Sequence, residues 1–234
     1  MPQHFKHVFL MGAQNLKYDN FIYLEKIAEE SNVKFYLEFG GHVPAIIEGL
    51  IDISKDIHYI DINHTFGPNE GICVDNRLSL SLLRDLNFVT NLVKANIKKI
   101  SANGWGFCEP GAGMLNTKLD FDNGASANLL LVNSAKPRQI QAVVYCKSGI
   151  TRIFVVDNIY KITKESHSHE QIEEVEKLTS SNNLLKDELK LFLAAIQQKS
   201  FGLRCIDDKS KAFRVNHLVH EKVNHFASNN IFYS

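Results

Sequence analysis

The 234-residue sequence has no long apolar run, no paired-cysteine motif and no excess of charge of either sign. Each absence removes a class of protein. The apolar stretch near the N-terminus, Val8 to Met11, is too short for a signal-peptide core and far too short to cross a bilayer. Lysine plus arginine and aspartate plus glutamate both number 26, so the formal net charge is zero. A general polyanion binder needs a basic excess for its phosphate contacts, so no nucleic-acid partner is expected, and no membrane. The four cysteines, Cys73, Cys108, Cys146 and Cys205, are far apart, which leaves no Cys-x-x-Cys zinc or redox motif. Scattered thiols of this kind read as reduced and point to the cytoplasm.

A phosphate-binding glycine loop is missing too. The cluster from Gly104 to Gly113 has Glu109 where the dinucleotide fingerprint needs its third glycine. It has Ala112 and Gly113 where a P-loop needs lysine and serine or threonine. No helical pattern follows to lend an N-terminal dipole, so the cluster reads as a loop between strands.

What remains is ordinary folded-protein composition, 44% apolar and 22% charged, in one large domain or two small ones. Val8–Met11, then Phe21, Leu24, Ile27 and Ala28 at helical spacing, then alternating Val33, Phe35, Leu37 and Phe39, predict one βαβ unit. Pro44 opens a predicted helix through Leu50. Ile57–Phe66 reads as a strand and Leu78, Leu82, Leu83 and Leu86 as a helix opening near Asp75. From about residue 97 the apolar period is two. Strands are predicted at Ile97–Phe107, Met114–Phe121, Ala125–Val132, Gln139–Cys146 and Thr151–Ile162. Asn123-Gly124 predicts a type I′ hairpin turn, and Lys147-Ser148-Gly149 a second turn. Glu165–Asn183 reads as a polar, partly helical connection. Leu185, Leu189, Phe192 and Ile196 share a helical face, and a last helix, Lys209–Phe226, turns Val215, Leu218 and Val219 inward.

Few residues carry candidate chemistry. His64, on the same face of its strand as His58, Ile60 and Ile62, is a candidate general acid or base; a partly buried strand-end histidine is the competing reading. Asp75, Arg77 and Ser79 open the Leu-rich helix, where Asp75 is a candidate N-cap. Ser79 has no adjacent base and no Gly-x-Ser-x-Gly elbow. His167 with His169, and His217 with His220, have ligand-like spacing, but neither pair has a third ligand in sequence.

Leu119-Asp120-Phe121-Asp122-Asn123-Gly124-Ala125 resembles the "L-x-F-x-N-G-A" hairpin of the Gfo/Idh/MocA oxidoreductases, which include glucose–fructose oxidoreductase and inositol dehydrogenase. Leu185–Ile196 resembles that family's late helix and Asp207–Val219 its last one, so the resemblance spans nearly the whole chain. It implies an α/β fold with an α+β layout. A truncated Rossmann βαβ remnant, residues 1–40, would join a large, mostly antiparallel sheet covered by helices, residues 41–234. The family's first βαβαβ stretch, with its glycine fingerprint, has no counterpart here. The family lysine near nicotinamide falls on Gly12, and the Asp-x-x-x-His motif falls on Asp75–Ser79, with Ser79 in place of the proton-transfer histidine.

The resemblance therefore implies a non-catalytic homologue of NAD(P)-dependent sugar or polyol oxidoreductases, acting as a binding or assembly subunit. No cofactor is expected in the isolated chain, and His64, Asp75, Arg77 and Ser79 are the candidate pocket for a sugar-like ligand. The alternative is the substrate half of a split enzyme whose cofactor domain comes from a partner oxidoreductase chain. A homo-oligomer is expected, through the sheet face or the N-terminal strand. Leu129 and Leu131 on one side of their strand, with Leu130 and Val132 on the other, predict that both faces of that strand are apolar.

Overall fold

A computed structural model describes residues 7–12, 16–38, 56–66, 74–105, 113–134, 139–156, 159–166, 172–178 and 181–230. The predicted helix over 44–50, His167 and His169, and most of the 104–113 glycine cluster lie outside them. The chain begins with β1 (Val8–Leu10), α1 (Tyr18–Glu30) and β2 (Phe35–Leu37), a βαβ unit whose strands pair in parallel. Helix α1 stops where Asn32 takes a left-handed φ of 52° and the Val33 N–H bonds the Ala28 carbonyl at 2.7 Å. Phe35, Tyr36 and Leu37 are all buried, so β2 is covered on both faces, as parallel strands usually are.

Next come β3 (Ile57–Phe66) and α2 (Val74–Leu92), then β4 (Ile97–Trp105), β5 (Gly113–Phe121), β6 (Ser126–Asn133), β7 (Gln139–Cys146), β8 (Gly149–Val156), β9 (Ile159–Ser166) and β10 (Ile172–Leu178). Helices α3 (Ser181–Ile196) and α4 (Ser200–Asn230) follow. Strands β3 to β10 form one eight-stranded sheet in the order β10-β9-β8-β7-β3-β6-β5-β4. Its pairs are antiparallel except β3 with β6. The α/β class and the large, mostly antiparallel sheet are therefore as the sequence implies.

Several local expectations change. Thr151–Ile162 is two strands, β8 and β9. The polar connection after Glu165 contains β10. Ile172, Val175 and Leu178 are spaced like a helix face, but the register sets Glu173 opposite Lys164 and Glu176 opposite Lys161. Strand β10 pairs antiparallel with β9 and ends the sheet on that side. The β5–β6 hairpin is not type I′. The Gly124 N–H bonds the Phe121 carbonyl, and only Gly124 of the loop residues has positive φ, at 88°. That is a type I turn closed by a left-handed glycine, the usual three-residue hairpin. A bulge between Ile57 and Tyr59 breaks the phase of β3, so His58 is exposed while Ile57, Ile60, Ile62 and His64 point inward.

One core lies between the sheet and the pair α2 and α4, and it includes Phe21, Ala28, Phe35 and Leu37 of the βαβ unit. Helix α4 joins the two parts, packing on α2, β4 and β2. Phe213 meets Phe21 with ring centres 4.7 Å apart, and His217 stacks on Tyr18. On α3 the buried seam runs through Glu188, Phe192 and Ala195, which rotates Leu185 and Leu189 outward. Leu218 of α4 is likewise exposed, while Val215 and Val219 are buried. The sheet face away from the helices is mixed rather than apolar. On β6 it presents Ser126, Asn128, Leu130 and Val132 in turn, and Asn128 Nδ2 donates a hydrogen bond to Asp61 at 3.0 Å.

Candidate functional site

The residues singled out in the sequence sit on β3 and the first turns of α2. His64 is fully buried beneath α2, and its Nδ1 lies 3.2 Å from Oδ2 of Asp85. Asp85 comes seven residues after Leu78, on the buried stripe of α2. A carboxylate on an apolar stripe is a readable sign of a buried partner, and His64 is an inward polar residue of the facing strand. The sequence offered that signal for Asp85.

Ser79 is half-buried one turn into α2. Its Oγ accepts a hydrogen bond from Nδ2 of Asn216, 3.1 Å away on α4. Asn216 is buried, and its Oδ1 has no hydrogen-bond partner among the described residues. Asp75 and Arg77 lie in the first turn of α2, with side chains outside those described. The four candidate residues thus share one strand–helix unit, but His64 and Ser79 each engage a different partner, Asp85 and Asn216.

At the C-terminal edge of the small sheet, the Gly12 N–H donates to Oε2 of Glu38 at 3.3 Å. The position matched to the family lysine therefore carries no side chain, and its backbone donor faces a carboxylate.

A cleft of about 520 Å³ opens elsewhere, between α1, the start of β2 and α4. Neither His64 nor Ser79 lines it. Lys34, Lys211 and Arg214 face Glu25, Glu29 and Asp207 across it, and Arg214 pairs with Glu25. Burial raises the Asp207 carboxyl above its ordinary value, against the pull of Lys34. Burial also lowers the Lys211 ammonium, which Asp208 and Asp122 oppose, and that ammonium donates to the Ala95 carbonyl. The described lining residues thus include three cationic and three acidic side chains.

Among the described residues no three metal-ligating side chains cluster, and no helix is long and apolar enough to cross a membrane. His217 stacks on Tyr18 and lies 3.4 Å from Glu221. The described free cysteine, Cys146, is buried against the Gly149 carbonyl.

No family model and no curated protein matches the sequence. Solved structures do match the fold. A dehydrogenase from Chromobacterium violaceum superposes with a TM-score of 0.71 at 13% identity, over 92% of this chain and 68% of its own. UDP-N-acetylglucosamine 3-dehydrogenase from Acidithiobacillus ferrooxidans gives 0.69 at 17% identity, over 90% and 68%. Biliverdin reductase from Synechocystis, solved with biliverdin and NADP+, gives 0.66 at 15% identity, over 94% and 72%. Identities this low establish a shared fold, that of the dehydrogenases the sequence resembles.

Proposed function

We propose that this chain is a non-catalytic relative of NAD(P)-dependent sugar or polyol oxidoreductases and works as a binding or assembly subunit. The observation that carries the reading is Ser79. The resemblance matches it to the family's proton-transfer histidine, and its hydroxyl accepts a hydrogen bond from Asn216 at the contact of α2 and α4. Oxidising an alcohol needs a base for the hydroxyl proton, and an unassisted serine titrates far above neutrality. Of the two imidazoles on β3, His64 is buried against Asp85 rather than presented to a ligand, and His58 is exposed near the start of the strand.

The described residues at the edge of β1 and β2 do not favour a dinucleotide. Its phosphates want donors or cations, and this edge offers the Glu38 carboxylate, with the Gly12 N–H already engaged by it. Fold likeness to dehydrogenases cannot substitute for those groups, because function resides in sites.

The assembly part of the reading assigns the outer sheet face to a second copy of the chain. Met114, Tyr145 and Phe154 are exposed there, beside half-buried Leu130, Val132 and Val143. The N-terminal strand adds exposed Val8 and Met11.

Calorimetric titration of the purified chain with NADH and with NADPH tests the reading. No heat of binding at millimolar cofactor is expected. Micromolar binding of either would overturn it and direct the next step to turnover of sugar alcohols.

A further inference from the structure

We propose that Tyr36, Glu188 and Lys209 form a buried polar clasp that sets the seating of the βαβ unit on helices α3 and α4. The three side chains come from β2, α3 and α4 and are buried together. The Tyr36 hydroxyl donates to Oε2 of Glu188 at 2.5 Å. The Lys209 ammonium lies 3.0 Å from the same oxygen, 3.2 Å from Oε1, and 5.0 Å from the centre of the Tyr36 ring.

The surroundings show why a directional contact is needed there. Strands β1 and β2 are three residues each and pair only with one another among the described strands. A two-stranded sheet of that size has little hold of its own. Phe9 stacks on Tyr36 and tilts against Phe192, a cluster that fastens the unit without choosing one register. Apolar packing is non-directional and tolerates repacking. A buried carboxylate and ammonium do not tolerate it, because a slip that separates them strands charge in a low-dielectric interior. The clasp therefore adds uniqueness of position rather than net stability.

Position matters at this point of the fold. Tyr36 is two residues before Glu38, whose carboxylate holds the Gly12 N–H at the edge of the small sheet. Seating β2 through Tyr36 fixes where that edge lies relative to α3 and α4.

Hydrogen–deuterium exchange on the whole chain tests it. An apolar triple variant, Tyr36→Phe with Glu188→Leu and Lys209→Met, is expected to fold with a Tm within about 5 °C of the parent. Its amides in β1, α1 and β2 should exchange at least about tenfold faster, while those of β5 and β6 keep their rates. Unchanged exchange in the βαβ unit would overturn the proposal. So would faster exchange throughout the chain, which would make the three residues general core stabilisers. If the triple variant does not fold, Tyr36→Phe decides: acceleration of about threefold or more confined to the βαβ unit supports the clasp, and none overturns it.

Discussion

Deleting one oxygen, with Ser79→Ala, separates a helix-contact role for this residue from a ligand-facing one. Asn216 Nδ2 donates to the Ser79 hydroxyl at 3.1 Å, and Asn216 is 8% exposed. Removing the acceptor leaves a buried amide donor without its partner. The cost of an unsatisfied buried polar group is about 1–3 kcal/mol, and the half-buried position of Ser79 favours the lower half of that range. A chain of this size loses about 2–4 °C of Tm per kcal/mol, so Ser79→Ala should lower Tm by about 2–8 °C. The partner substitution behaves differently. Asn216→Leu removes a side chain whose Oδ1 already lacks a partner among the described residues, and it leaves the Ser79 hydroxyl free to turn to water. The double variant should therefore recover most of the loss, with a coupling of about 1 kcal/mol in a double-mutant cycle. Differential scanning fluorimetry and urea titration of the four proteins measure all terms. A Tm for Ser79→Ala within about 1 °C of the parent would refute the assignment and return Ser79 to the candidate ligand pocket.

The two glycines in hairpin turns should separate sharply by denaturant titration. A Cβ on Gly149 would sit 2.0 Å from the backbone oxygen of Glu165, whereas one on Gly124 meets nothing within 4 Å. Gly124→Ala should cost about 1–2 kcal/mol of backbone strain, and Gly149→Ala about 2–3 kcal/mol more as β9 is forced away from β8; equal costs would contradict the register described. Burial, with Asp61 beside it, raises the Tyr59 phenol above its ordinary 10.0. Below pH 10 folded and unfolded chains both hold that proton, and between 10.0 and the raised value only the folded chain does, so stability falls as pH rises across that window. Tyr59→Phe should flatten this alkaline slope in urea midpoints measured at successive pH values; a slope unchanged by the substitution would refute the cause. Light scattering at micromolar concentration should give a mass above the 26.5 kDa of one chain. A monomer would overturn the assembly part of the proposed function.

Much of the fold was legible from local pattern. Tyr18–Glu30, Ile57–Phe66 and Gln139–Cys146 fall where the sequence predicts them, because apolar periods of 3.6 and 2 are properties of short segments. The order of the hairpins followed from turn residues in the same way, although the turn type did not. Asn123-Gly124 suits type I′, and one additional loop residue made a type I turn with a left-handed glycine the closure that keeps β5 and β6 in register. That the four candidate residues lie on β3 and the start of α2 was legible in the apolar periods. The partners of His64 and Ser79 were not.

Sequence alone determined the segments, their inward faces and the residues available for chemistry. Tertiary structure alone decided what each of them meets. Tyr36 reaches Glu188 across 152 residues and Asn216 reaches Ser79 across 137. The bulge at Ile57 decided that His64 points inward and His58 does not. Periodicity is written in neighbouring residues and so can be read along the chain. The satisfaction of a buried charge or hydroxyl depends on which elements the packed core brings within about 3 Å, and no local pattern encodes that.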